Sequence, residues 1–287
     1  MARILITGAN GYIGSQVVRY FVEHTSHEIL AVDFHNTRIP PQATFISEDI
    51  LAACHDTDLY ERLGRPDTLI HLAWKDGFQH NSAAHLKYLP NHFSFVENLI
   101  LHGVHNVTVM GTVHEVGYYE GEISDVNPPA EHPMSYYGIA KNALRQALFV
   151  LAAAHPQISL KWLRAFYITG EDAASHSIFS KILQWEKEGK SSFPFTDGTA
   201  CFDFIDVHTL AEMISCTAMA RRPTEIINVC SGRPVALKDK IEQFIAEHHL
   251  HIRPEYGAFP KRPYDSPIVY GSNAKIQAIL QEKAHGR

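Results

Sequence analysis

The sequence predicts an α/β protein: a doubly wound parallel sheet with a smaller C-terminal lobe. Three observations carry this prediction. Short apolar runs alternate with longer segments of helical period through the first part of the chain. A glycine-rich turn, TGANGYIG, joins the first apolar run directly to the first helical segment. Beyond residue 168 the alternation loosens into irregular and Pro-rich stretches, which mark a separate small lobe. The length of 287 residues accommodates one large domain, or a main domain with such a lobe.

Taken in order, RILIT (3–7) reads as a buried strand and GYIGSQVVRYFVEH (11–24) as the helix after it. EILAVD (28–33), TLIHLA (68–73), NVTVM (106–110), LKWLRAF (160–166) and IINV (226–229) are further strands. LPNHFSFVENLILHG (89–103) reads as a helix, with Pro90 suited to a first turn and Gly103 to a C-terminal cap. SYYGIAKNALRQALFVLAAAHP starts at an N-cap, Ser135, and stops before Pro156. Strands that alternate with helices in this way form a parallel sheet covered on both faces. The expected division is residues 1–167 with 200–232 for the sheet domain, and 168–199 with 233–287 for the lobe. The lobe should pack beside the C-terminal ends of the strands, where open α/β sheets bind ligands.

A formal net charge of −6 gives no reason to expect a nucleic-acid or anionic-membrane partner. Cys54, Cys201, Cys216 and Cys230 show no CxxC spacing, so neither a zinc knuckle nor a disulfide framework is expected. Free thiols suit a reducing cytoplasm. No apolar run reaches the length of roughly 18 residues that a membrane span needs. His248, His249 and His251 look metal-like by count, but their spacing near a helix end reads as solvated surface, and no metal site is expected.

The turn places Gly8, Gly11 and Gly14 between strand and helix, with Tyr12 and Ile13 inside it. Without side chains the backbone can approach a pyrophosphate, and the helix N-terminus supplies N–H donors and positive potential. The spacing is GxxGxxG. Asp33 ends the second strand, 19 residues after Gly14, where a carboxylate accepts from an adenosine ribose and repels a 2′-phosphate. This favours NAD; Arg38, five residues on, is placed to approach a phosphate and leaves NADP open. Asp49, followed by Ile50, stands where an adenine amino group would be held, although a solvated loop acid has the same spacing.

Two adjacent tyrosines precede a lysine in SYYGIAK. Residues four apart share a helical face, so Tyr137 pairs with Lys141, while Tyr136 points about 100° away. A tyrosine hydroxyl, with an ordinary pKa near ~10, is a poor base until a nearby cation favours its phenolate. Thr112 lies just past a central strand, where its hydroxyl can hold a substrate oxygen while Tyr137 moves the proton. Gly111 leaves room beside it.

Together these residues resemble the extended short-chain dehydrogenase/reductase family, in its branch of NAD-dependent epimerases and dehydratases acting on nucleotide sugars. The resemblance covers nearly the whole chain: TGANGYIG, Asp33, HLAW (71–74), Thr112, YYGIAK, LRAFYITG (163–170), DFIDVHTLAEMI (203–214) and RPYD (262–265). It implies a Rossmann-type sheet and Thr112, Tyr137 and Lys141 as catalytic residues. It further implies Leu72, Ala73 and Trp74 along the cofactor, and Tyr167 and Ile168 near the nicotinamide. Arg262 would hold a nucleotide diphosphate and Asp265 its ribose, a guanidinium suiting phosphate and a carboxylate a diol. SHSIF (175–179) falls where the family contacts the diphosphate, which points to His176 and Ser177, and FPFTDG (193–198), with Phe195, where it packs the base. The long helices resemble those through which the family dimerises as a four-helix bundle.

Two departures bear on the reaction. Dehydratases of this branch carry an Asp–Glu pair directly after the threonine; here Val113 and His114 stand there, so elimination lacks its acid and base and His114 becomes a substrate contact. Tyr167 replaces the epimerase-type asparagine. The expected activity is NAD(P)-dependent reduction at C4 of a dTDP-linked 4-keto-6-deoxyhexose. The alternatives are a nucleotide-sugar 4-epimerase with tightly held NAD and, more remotely, a non-catalytic NAD-binding regulator.

Overall fold

The computed structural model describes residues 1–170, 177–260 and 266–284. His176, Arg262 and Asp265 lie outside these described residues.

The strands β1 (Arg3–Thr7), β2 (Glu28–Asp33), β3 (Thr44–Ser47), β4 (Thr68–His71), β5 (Asn106–Thr112), β7 (Ser159–Ala165) and β11 (Glu225–Val229) form one sheet. Its order is β11-β7-β5-β4-β1-β2-β3, and every neighbouring pair is parallel. The chain runs outward from β1 in one direction to β3 and then crosses back to β4, so the reversal lies between β1 and β4. Such a reversal leaves a crevice at the strand ends.

Side-chain alternation explains why the strands read as continuous apolar runs. Ile4 and Ile6 face α1 (Tyr12–His24), α6 (Val207–Met219) and α8 (Ala274–Ala284), whereas Leu5 faces the opposite layer. That layer holds α2 (Leu59–Arg62), α3 (Ala84–Leu101) and α4 (Tyr136–Ala154). Both faces are buried, as a parallel sheet requires. Ser135 caps α4, its Oγ accepting from Gly138 N at 3.1 Å.

One helix differs from expectation. α3 begins at Ala84, and Pro90 sits inside it rather than in its first turn. His85, which hides this start, and His92 are polar by type yet 2% and 1% exposed. Both face inward onto Trp74.

The smaller lobe is built from β6 (Gly121–Ile123), β8 (Tyr167–Thr169), α5 (Ile178–Lys187), β9 (Ser192–Pro194), β10 (Cys201–Asp206), β12 (Pro234–Ala236), α7 (Leu237–Glu247), β13 (Arg253–Glu255) and β14 (Ile268–Gly271). β12-β10-β14-β6 form a second sheet, with β8 also on β10, and β13 pairs with β9. β10 thus belongs to this sheet, and Asp206 at its end caps α6 by accepting from His208 N at 2.9 Å. The buried Asp203 carboxylate ties three segments together, accepting from Ser231 N, Gly232 N and Gly271 N.

Candidate functional site

A cleft of about 1140 Å³ runs along the C-terminal ends of the strands, from the glycine turn at one end to Phe179 and Phe204 of the lobe at the other. The glycine end is shaped by backbone contact. Gly8 has φ +67°, and a Cβ there would stand 2.8 Å from the Ala73 N and Cα. A Cβ on Gly14 would stand 2.0 Å from the Gly8 carbonyl oxygen. The turn is therefore a cradle that any side chain would fill. Gly11 precedes α1 without a side-chain cap, so the first-turn N–H groups have no side-chain acceptor there. Such a helix end suits a pyrophosphate. Tyr12, Ile13, Leu72, Ala73 and Trp74 line the same part of the cleft.

Asp33 also lines it, with Oδ2 accepting from Asn10 N at 2.9 Å and Oδ1 from Phe34 N at 2.7 Å. The carboxylate is thereby held at the end of β2. Asp49 and Ile50 border the cleft as well. Asp49 Oδ1 accepts from Leu51 N and Ala52 N, both at 3.1 Å, so part of its capacity goes to its own turn.

Thr112 ends β5 and Tyr137 lies in the first turn of α4, and both border the cleft. Tyr136 beside it is 45% exposed, which separates the two tyrosines as the helical spacing predicts. The Tyr137 ring stacks on His80, with centroids 5.3 Å apart and planes at 14°. Its backbone N–H donates to His80 O at 2.9 Å. Lys141, one turn on, is 2% exposed; its Nζ donates to Met110 O at 2.7 Å and sits 3.8 Å from the centre of the Trp74 ring. Burial raises the Tyr137 hydroxyl well above its ordinary value, the Thr112 hydrogen bond opposing and Glu115 adding to the shift. Burial also brings the Lys141 ammonium down to about 7, with the Glu115 carboxylate acting in the other direction. Half-buried His114 is depressed to about 3 by its burial and by His80, so its imidazole is neutral near pH 7.

Beneath Thr112 lies a group that residue patterns alone did not single out. Glu115, fully buried, accepts from Thr112 N at 2.6 Å and from Trp162 Nε1 at 2.9 Å. Its other oxygen faces Arg164 Nη2 at 3.4 Å and Arg145 Nε at 3.7 Å. Glu131 joins both arginines from the far side. Trp162 is therefore a hydrogen-bond donor as well as core packing. The signal available in the sequence was the glutamate three residues after Thr112, a capping-box spacing that the structure completes. Gly111 is required here too, since a Cβ would stand 2.1 Å from Trp162 Nε1.

Tyr167, Ile168, His114 and Ser177 all border the cleft. Tyr167 packs at a tilt on Phe202, ring centroids 4.3 Å apart, and Ser177 caps α5 by accepting from Ser180 N at 3.4 Å. Phe195 is placed elsewhere: it is 5% exposed, packed against Phe193 at 5.6 Å in the lobe core, and absent from the described cleft lining. The strand period explains the difference, because β9 and its continuation turn inward against α5 and α7. His251 has an acidic neighbour that the sequence did not suggest, Glu186, with ring Nδ1 and carboxylate 3.2 Å apart. No metal-binding group of three or more such side chains occurs among the described residues. Among them, no helix is long and apolar enough to cross a membrane.

Comparison with known proteins identifies the family and the fold. Residues 4–230 match the NAD dependent epimerase/dehydratase family. The chain is 40% identical over 272 residues to the dTDP-6-deoxy-L-talose 4-dehydrogenase (NAD(+)) of Aggregatibacter actinomycetemcomitans, covering 94% of this chain and 99% of that one. It is 26% identical to a UDP-glucose 4-epimerase of Neisseria meningitidis, covering 98% and 92%. The fold superposes on the Bacillus cereus UDP-glucuronic acid 4-epimerase, solved with UDP-glucuronic acid and NAD, with a TM-score of 0.79 at 19% identity, covering 97% and 93%. By the extent of the family match and by its 40% identity to a curated relative, the chain belongs to the NAD dependent epimerase/dehydratase family.

Proposed function

We propose that the protein interconverts a hydroxyl and a ketone at C4 of a dTDP-linked 6-deoxyhexose, with NAD as hydride carrier. The observation that carries this reading is the meeting of Thr112, Tyr137 and, one turn on, Lys141 on the wall of a glycine-cradled cleft. The 40% identity to a dTDP-6-deoxysugar 4-dehydrogenase supports the sugar. NAD, when bound, supplies the hydride acceptor in one direction and, reduced, the hydride donor in the other.

The chain's own residues account for the rest. Gly8, Gly11 and the start of α1 would receive the pyrophosphate, Asp33 the adenosine ribose, and Lys141 the nicotinamide ribose. Thr112 and Tyr137 grip the C4 oxygen. In oxidation, Tyr137 as phenolate takes the hydroxyl proton while the C4 hydrogen leaves as hydride. In reduction, Tyr137 returns that proton to the forming alkoxide. A buried phenol is a poor acid and a poor base. Lys141 would stabilise the phenolate, aided by the positive charge that an oxidised cofactor would supply when bound. Val113 and His114 follow Thr112 without a carboxylate, which disfavours elimination of water. Leu101 on α3, 62% exposed, with Ile139 and Val150 on α4, 41% and 72% exposed, support pairing with a second copy through these helices, to be read by sedimentation.

The test is a spectrophotometric assay with NADH and dTDP-4-keto-6-deoxyhexose, and with NAD⁺ and the corresponding alcohol. Stoichiometric exchange of cofactor with sugar, lost in Tyr137→Phe by ~10²–10⁴-fold, supports the reading. Interconversion of C4 epimers without net redox, with NAD retained through purification, replaces it by the epimerase.

A further inference from the structure

We infer that Trp74 is a positioning residue that holds the Lys141 ammonium in its working place by presenting an indole face to it. This role goes beyond lining the cofactor, and it rests on the reading above only in treating Lys141 as the residue that meets the nicotinamide ribose.

Lys141 Nζ lies 3.8 Å from the Trp74 ring centre, well inside cation–π range. The indole is itself anchored on two sides. Its Nε1 donates to His85 Nδ1 at 3.0 Å, and His92 stacks against it with centroids 4.3 Å apart and planes at 16°. His92 Nδ1 meets His71 Nε2 at 2.9 Å, and His71 Nδ1 meets Thr7 Oγ1 at 2.8 Å. Thr7 is the last residue before the glycine turn. A continuous chain of contacts, Thr7–His71–His92–Trp74–Lys141, thus joins the cofactor cradle to the lysine.

The chemistry of the donors makes the ring necessary. A buried ammonium needs partners for its charge. Met110 O is a neutral acceptor, and Glu115, which favours the ammonium from a distance, hydrogen-bonds Thr112 and Trp162 and pairs with the arginines rather than meeting Nζ. His71 and His92 are buried on the Trp74 side and are held neutral by that burial. Tyr137 on the same helix has its ring centre 6.0 Å from Nζ, and its hydroxyl is raised by burial. Beside the more distant Glu115 carboxylate, the indole face is the group in contact with Nζ that favours the charged form against desolvation.

Removing the ring should lower the pH at which Lys141 loses its proton. The experiment titrates NADH binding by cofactor fluorescence between pH 5 and 10 in the wild type, Trp74→Phe and Trp74→Leu, with thermal unfolding as a check of folding. The affinity should fall as pH rises through the lysine pKa. That fall should move to lower pH by about one unit in Trp74→Leu. Trp74→Phe, with a weaker ring face, should fall between the two, and it carries the test if the leucine variant does not fold. An unmoved midpoint, or a loss of affinity equal at every pH, overturns the inference and leaves Trp74 a plain wall of the cofactor site. Failure of the wild type to act on dTDP-6-deoxyhexoses would refute the proposed substrate without touching this result, because the titration contains no sugar.

Discussion

Replacing Gly14 by alanine sets two effects of opposite sign against each other. In a helix interior, Ala is favoured over Gly by about 1 kcal/mol, and Gly14 is the third residue of α1. Against this, the new Cβ would stand 2.0 Å from Gly8 O, 2.8 Å from Gly8 C and 3.0 Å from Ala9 Cα. Cβ contacts essentially never fall under 3.0 Å, so the helix start and the turn must separate by about 1 Å. The obstacle is backbone, which has no rotamer to yield, and this places the cost near the upper end of overpacking, about 3 kcal/mol. The clash wins by about 2 kcal/mol, or a Tm lower by roughly 4–8 °C. The same displacement moves the first-turn N–H groups away from the pyrophosphate. Loss of one or two hydrogen bonds to a charged group weakens NADH by roughly 10–100-fold. The assay is calorimetric unfolding with NADH fluorescence titration. Gly77→Ala, whose Cβ meets nothing within 4 Å, is the control for stability and should leave Tm unchanged or slightly higher. A Gly14→Ala protein with wild-type Tm and wild-type NADH affinity would refute the claim that backbone contact makes this glycine necessary.

Three other outcomes follow from the buried polar groups. His71 and His114 are each depressed to about 3, mainly by burial, so the unfolded chain binds protons near 6.5 that the folded chain refuses. Stability is complete above that pH and falls as pH drops from 6.5 toward 3, by up to about 1.4 kcal/mol per pH unit for each histidine; His71→Gln should flatten the acid limb of Tm against pH. Trp162→Phe removes the donor that reaches Glu115 at 2.9 Å and should cost about 3 kcal/mol by thermal unfolding, with a larger loss in kcat than in KM because Thr112 loses its anchor. Asp33→Ser removes the carboxylate at the end of β2 and should raise NADPH affinity relative to NADH by about tenfold in a binding titration, with Arg38 close in sequence to meet the added phosphate.

Local pattern carried most of the sheet. RILIT, EILAVD and IINV appear as strands within a residue of their predicted ends because β-strands buried on both faces are apolar without interruption. The start of α3 was not legible, since His85 and His92 look polar and their burial depends on a tryptophan outside that helix. In the site, Thr112, Tyr137 and Lys141 could be named from strand-end position and helical spacing, both of which are local. Glu115, Arg145, Arg164 and Glu131 could not be joined, because their pairing crosses up to 49 residues and exists only where β5, β7 and α4 meet. The placement of Phe195 in the lobe core was equally hidden, because it depends on which side of β9 the helices α5 and α7 cover.

The sequence by itself determined what short-range physics can determine: where the chain is extended, where it is helical, which tyrosine shares a face with Lys141, and where glycine lets backbone meet backbone. Tertiary structure alone decided which polar groups are buried together. Desolvation and pairing depend on neighbours brought from distant segments, and that environment turns Trp74 toward Lys141, neutralises the histidines and sets Glu115 under Thr112.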